Sequence, residues 1–285
     1  MKVALVILAA LICRVPEVVA QSAPTRHQII HAGSATIAVT INGQGEPIVF
    51  IPSRGRGVKD FDALSNRLVK AGYQTILPEP RGIGDSTGPL ADITYHDLAS
   101  DVAATIMSVV GHAAIVIGHD FGSRIARTLA SDQPTLVKRL ILLSAPGIVP
   151  QSPEVEKLTT GFWETAPSRE ERLTAIRQIF FATGNDVPAT WEDGWYPEVA
   201  RAQRASDGRT PLKEWWAGGS APLLVVQGTE DIVVVPENAK RLAAEFPDRV
   251  TLVEIPHAGH ALLPEQPEQV EKAVLTYLHS RRGAR

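Results

Sequence analysis

Four short runs, residues 47–51, 73–77, 114–117 and 140–143, are apolar at nearly every position and do not alternate with polar residues. A strand with one face in water alternates, so runs of this kind belong to a sheet covered on both faces, mostly parallel and flanked by helices. The segments between them keep helical period. Leu98, Val102, Ile106 and Val110 recur at intervals of four and put one apolar face on the sheet. The pattern returns late in the chain, strand-like at 223–226 and 250–255 and helical at 236–246 and 267–279. At 285 residues the chain stays within the roughly 250–300 over which a single core can grow.

The stretch 148–219 differs in kind. It carries all five tryptophans and no long apolar run, and Ser168 with Glu171 forms a capping box ahead of Leu173, Ile176 and Phe180. It is expected to be a small helical cap inserted after the sixth strand, dividing the core into 21–147 and 220–285. Residues 1–20 differ again: Lys2, an apolar run from Val3 to Ile12, then Val18-Val19-Ala20 before Gln21. That is the pattern of a secretory signal peptide, too short for a membrane span, and it predicts an exported, periplasmic or secreted protein. A retained interfacial anchor is the alternative. Cys13 is the single cysteine, so the mature chain would have no disulfide and no thiolate nucleophile. A net charge of −3 gives no reason to expect nucleic acid. With no dinucleotide fingerprint, phosphate loop or metal cluster in the sequence, no cofactor is expected and the partner is a small-molecule substrate.

The most informative motif is Gly118-His119-Asp120-Phe121-Gly122, directly after one predicted strand and before a helix carrying Ile125 and Leu129. Two glycines around a central residue suit a strand-to-helix bend so sharp that side chains at either end would collide. An aspartate before a helix is ordinarily an N-cap. Two later elements argue for more. Gly228-Thr229-Glu230-Asp231 ends a buried strand, and Ala258-Gly259-His260 follows the next one. Asp231 could cap the helix after it, but Glu230 and Glu237 are the expected solvated carboxylates there. His257 is the nearby competitor of His260 and lacks the preceding glycine, while His119 is expected to be a packed or hydrogen-bonded neighbour.

Bend residue, acid and histidine in this order resemble the α/β-hydrolase superfamily, as does Pro80-Arg81-Gly82-Ile83-Gly84-Asp85-Ser86 after the predicted strand at 73–77. With aspartate in the serine's place, the resemblance is to epoxide hydrolases and to haloalkane and haloacetate dehalogenases. It implies that Asp120 is the nucleophile, that His260 activates water, and that Asp231 orients the ring. It further implies an oxyanion hole made by the backbone N–H groups of Phe121 and Arg54. The chain departs from the family in that loop, where Ser53-Arg54-Gly55-Arg56-Gly57 stands in place of the usual His-Gly. Its two arginines are either surface charges or attractors of an anionic substrate.

The chemistry of a carboxylate separates the possibilities. With a reference pKa of ~3.9 it needs no base before attack. Attack on an ester gives a reactive anhydride, whereas attack on an electrophilic sp3 carbon gives a stable alkyl ester, which favours epoxides or carbon–halogen bonds. An epoxide needs a proton donor, and Tyr196 is the tyrosine available in the cap. A halide needs N–H donors, for which Trp191, Trp195, Trp215 and Trp216 are candidates. Arg124 matches an arginine with which haloacetate dehalogenases hold a carboxylate, though their arginine directly after the nucleophile is Phe121 here. Epoxide hydrolysis is the leading expectation. Dehalogenation, an ester or lactone hydrolase with Asp120 never covalently attached, and a non-catalytic binding protein on the same fold stay open.

Overall fold

The computed structural model describes residues 24–164 and 168–280. The expected signal segment, residues 1–20, lies outside them. Eight strands form one sheet in the order β1-β2-β4-β3-β5-β6-β7-β8: Arg26–Ala32, Ala35–Asn42, Glu46–Ile51, Tyr73–Pro78, Ala114–His119, Val137–Leu143, Leu223–Gly228 and Val250–Ile255 for β1 to β8. All neighbours from β4 through β8 in that order pair in parallel, and β1 and β2 are antiparallel.

The unalternating runs have a direct cause. Along β5, Ala114 and Val116 join one core layer while Ile115 and Ile117 join the other, so both faces are apolar. One layer lies under α2 (Tyr95–Val109), α3 (Phe121–Asp132) and α9 (Glu237–Glu245), the other under α1 (Asp62–Lys70) and α11 (Pro267–Ser280). Burying each Ile, Val or Leu contributes roughly 1.5–3 kcal/mol, and this fixes the register in which strand ends, and the loops beyond them, meet. The hairpin β1–β2 was not anticipated from the sequence. Its signal is the alternation Ala35, Ile37, Val39, Ile41, each buried between half-exposed neighbours, which marks a strand with one wet face.

Between β6 and β7 the chain forms α4 (Pro153–Glu164), α5 (Arg169–Phe180), α6 (Ala189–Glu192), α7 (Pro197–Ser206) and α8 (Leu212–Trp215). The Ser168–Glu171 capping box starts α5. Ile176, Ile179, Phe180 and Trp191 form a separate apolar cluster with Ala261 from the core, which seats the cap over the carboxyl ends of the strands. No helix among the described residues is long and apolar enough to cross a membrane.

Candidate active site

Asp120 stands at the bend between β5 and α3 with φ 47° and ψ −110°, a conformation that costs an L-residue roughly 1–3 kcal/mol. The glycines explain how the bend closes. A Cβ on Gly118 would lie 2.4 Å from the Gly122 carbonyl oxygen, and one on Gly122 would lie 2.1 Å from that of Ile51. The Asp120 N–H donates to Leu143 O at 2.9 Å, fixing the bend to β6. Asp120 caps nothing with its side chain. Instead its Oδ2 accepts from Ser53 Oγ at 2.9 Å and from the Arg54 N–H at 3.4 Å.

His260 reaches the same carboxylate from the loop between β8 and α10 (Leu262–Glu265). Its Nε2 is 3.8 Å from Asp120 Oδ2, and its Nδ1 is 3.1 Å from Asp231 Oδ2. Asp231 follows β7, and its Oδ1 accepts from the N–H groups of Val233 at 3.0 Å and Val234 at 2.8 Å, while Gln227 Nε2 donates to Oδ2. Asp231 and His260 are each 2% exposed and Asp120 8%. The histidine loop is tied down by the Gly259 N–H on Glu265 Oε2 at 2.8 Å and the Ala261 N–H on Phe180 O. His119 supports it from below: its Nε2–H donates to the His260 carbonyl at 3.0 Å and its ring packs 5.1 Å from the His260 ring. Burial and then the positive charge of His260 lower its pKa to about 4, so it is neutral.

Burial opposes charge on both Asp120 and His260, and their mutual attraction overcomes it. The imidazolium is held up to about 10 by the charges of Asp231 and Asp120. The Asp120 carboxyl falls well below its ordinary range through His260, with Arg54 and Arg124 adding to the effect. Phe121 is the first residue of α3, so its N–H is among the amides a helix start leaves without an intrahelical acceptor.

Ser53, Arg54, Asp120 and His260 line a cavity of about 420 Å³ shared with Arg124, Trp163, Phe180, Trp191, Trp195 and Asp207. Other expectations meet the structure differently. Tyr196 lines a neighbouring cleft rather than this cavity, because its backbone is drawn to the Gly55 carbonyl. Trp215 and Trp216 belong to the core layer beneath α3, with Arg127 4.5 Å and 5.5 Å from their rings. Trp195 lines the cavity, but its indole N–H donates to Trp191 O at 2.7 Å. Arg56 is no surface charge: at 2% exposure it lies 4.2 Å from the Trp195 ring and 4.7 Å from that of Trp191, paired with Asp60.

The sequence reading missed Ser53 and Asp207. Asp207 follows α7 and accepts two bonds from Arg54 Nη2 and one from Tyr95 Oη, with Arg124 Nη1 3.6 Å away. Arg54 Nη1 and Arg124 Nε are buried with no hydrogen-bond partner among the described residues, on side chains that line the cavity with Asp120. Arg54 also lies 5.0 Å from the ring of Phe121, the residue that follows Asp120. No sequence spacing joins these groups, since Arg54 and Asp207 are 153 positions apart.

A mostly parallel sheet bearing a carboxylate at a strained strand-to-helix bend, with a histidine and an acid supplied by later loops, defines the α/β-hydrolase class of enzyme. A family model described as alpha/beta hydrolase fold matches residues 46–267, and the chain belongs to that family. A Mycobacterium tuberculosis protein that carries the name non-heme bromoperoxidase BpoC is 28% identical over 260 residues, spanning 86% of this chain and 98% of the relative. Its solved structure superposes with a TM-score of 0.74. An esterase from Exiguobacterium antarcticum superposes at 0.77 with 21% identity, over 89% of this chain and all of that one. A soluble epoxide hydrolase of Corynebacterium is 32% identical over 127 residues, 44% of this chain and 43% of the relative.

Proposed function

We propose that this hydrolase forms an alkyl ester on Asp120 and acts on small carboxylic acids bearing a leaving group on an adjacent sp3 carbon, 2-halo acids above all. One observation carries the reading: Arg54 and Arg124, which line the cavity with Asp120, share the single carboxylate of Asp207, and each keeps one buried nitrogen without a partner among the described residues. Buried cationic donors left without acceptors are costly, and a substrate carboxylate satisfies both. Arg54, lying over the Phe121 ring, supplies from the oxyanion loop the second guanidinium that the sequence lacks directly after the nucleophile.

With Oδ2 engaged by Ser53 and Arg54, Oδ1 attacks the carbon. The C–X electron pair leaves as halide and an ester forms. Water then attacks Cγ of Asp120 and passes its proton to His260 Nε2. The negative charge gathers on the oxygen held by the Arg54 and Phe121 amides, and collapse expels the alkoxide, which takes the proton of the added hydroxyl to leave as the 2-hydroxy acid and restores the carboxylate. Losing the Asp120 charge on esterification removes one of the two anions that hold His260 protonated, so the ring gives up its Nε2 proton to solvent and is a base at the step that needs one.

The soluble epoxide hydrolase relative favours a second reading, an epoxy acid as substrate. No tyrosine lines the cavity among the described residues, so an opening epoxide has no phenolic proton donor there, whereas a departing halide needs no proton. Residues 1–20 suggest that the chemistry takes place after export. The test is single turnover of bromoacetate and of oxirane-2-carboxylate by excess enzyme in heavy-oxygen water. Label entering Asp120 with bromoacetate is the expected result. Product with an unlabelled Asp120 overturns the covalent route, and label from the epoxide alone shifts the substrate class.

A further inference from the structure

We infer that Gln203, on cap helix α7, is a positioning residue for the oxyanion hole, so that the amide Arg54 offers to Asp120 is set from the cap and not by the core alone. The inference rests on Asp120 forming an ester.

The loop 53–57 has little to hold it from within. Its one turn bond is the Arg56 N–H on Ser53 O at 3.1 Å. Core contacts hold Ser53 and Arg54 on Asp120 and Arg56 on Asp60, and the remaining fastenings, those of Gly55 among them, run to the cap. The Gly55 N–H donates to Gln203 Oε1 at 2.8 Å, and the Gly55 carbonyl accepts the Tyr196 N–H at 2.9 Å. On either side of Gly55, Arg54 is clamped by Asp207 and Arg56 Nη1 donates to the Asp193 carbonyl at 2.8 Å. Gly55 is pressed close as well: with φ +60°, a Cβ there would lie 2.7 Å from both Ala200 and the Trp163 ring.

Gln203 is 3% exposed and absent from the cavity wall, so it touches no substrate. What it touches is the peptide next to the oxyanion donor. The Arg54 N–H stands 3.4 Å from Oδ2, at the outer edge of a hydrogen bond, where a small displacement decides whether the developing oxyanion is held. Attack by Oδ1 on substrate does not load that amide with new charge; breakdown of the ester does. Loosening the loop therefore slows the second step and spares the first.

The experiment compares Gln203→Met, of similar shape but without the acceptor, with Gln203→Glu, which keeps one. Bromoacetate is the probe, with rapid quenching and mass measurement of the Asp120 peptide. In Gln203→Met the ester is expected to form within about twofold of the wild-type rate and to hydrolyse roughly 10- to 100-fold more slowly, so that it accumulates while kcat and KM fall together. Gln203→Glu is expected to restore hydrolysis. Should Gln203→Met fail to fold, Gln203→Asn, whose acceptor is withdrawn by one methylene, gives the same split. Wild-type hydrolysis of the ester in the variant, or an equal loss in both steps without rescue by Glu, overturns the positioning role alone. A wild-type enzyme that forms no ester overturns the reading of the chemistry, and this inference with it.

Discussion

His260 Nε2 stands 3.8 Å from Asp120 Oδ2, an ion-pair separation too long for a hydrogen bond. The gap matters because the ring's other nitrogen is anchored on Asp231 and cannot close it without breaking two contacts of 3.1 and 3.2 Å. A histidine meant to take a proton from a neighbouring nucleophile would sit closer. One meant to act on a water approaching Cγ needs this room. His260→Gln is therefore expected to leave ester formation intact and to stop its hydrolysis, giving stoichiometric alkylated Asp120 by mass. Asp120→Ala should give none. Ester that turns over at the wild-type rate in His260→Gln would remove the histidine from the mechanism.

The two steps should also part in their pH dependence. Ester formation needs Asp120 ionised, and its carboxyl lies below the ordinary range, so kcat/KM is expected to stay flat from about pH 5 to 9. Hydrolysis needs neutral His260, whose resting value of about 10 depends partly on the Asp120 charge that the ester removes. A kcat rising with pH to a plateau, with its midpoint well below 10, is expected. A midpoint unchanged at about 10 would refute the relief of charge.

The same ionisation enters stability. The folded His260 value of about 10 exceeds the ~6.5 of an unfolded histidine, so its stabilising contribution is full below about pH 6.5 and is lost as pH rises through 10. Thermal unfolding followed by circular dichroism should show a midpoint that falls between those limits. The fall should shrink in His260→Gln, and an equal fall in that variant would place its origin elsewhere.

Most of the architecture was legible because it is written in local pattern. The runs 114–117 and 223–226 are apolar on both faces, and the glycines at 118 and 122 allow a single kind of bend between a strand and a helix. Asp120, Asp231 and His260 could be picked out because each follows a strand in such a fold, and strand ends converge. Arg54, Asp207 and Gln203 could not be joined this way: Asp207 meets Arg54 through the seating of α7 on the core, a tertiary outcome in which Gln203 bonds Gly55 and Ala202 packs against the layer under α2 and α3. Tyr196 was misdirected for the same reason, since composition put a tyrosine in the cap but only the path of the chain at Gly55 decided which cleft it lines.

The bend itself offers a steric test. Gly122→Ala places a Cβ 2.1 Å from the Ile51 carbonyl oxygen, in backbone that cannot yield without moving β3. A loss of about 3 kcal/mol or more, or failure to fold, is expected in urea unfolding. Gly161→Ala is the control: it lies within α4 with no atom of the described residues inside 4 Å of the added carbon, and a gain of about 0.5–1 kcal/mol is expected. Comparable losses at both positions would mean that the contact at the bend is not what makes glycine necessary there.

The arginine pair gives the sharpest test of substrate class. Arg124 donates from Nη1 to Tyr95 Oη at 2.9 Å, and its Nε has no partner among the described residues. Arg124→Met should therefore lose a donor to substrate while keeping a side chain of similar length in the cavity wall. For bromoacetate, KM is expected to rise roughly 10- to 100-fold, the range for a lost charge-assisted hydrogen bond of about 1.5–3 kcal/mol. For bromoacetamide, which has no charge to recognise, kcat/KM should change less than about threefold, so the preference for the acid collapses. Arg54→Met should act likewise on KM and, because its loop carries the oxyanion amide, lower kcat as well. Equal losses for acid and amide in Arg124→Met would show that the guanidinium organises Tyr95 and Asp207 without reading the substrate's charge.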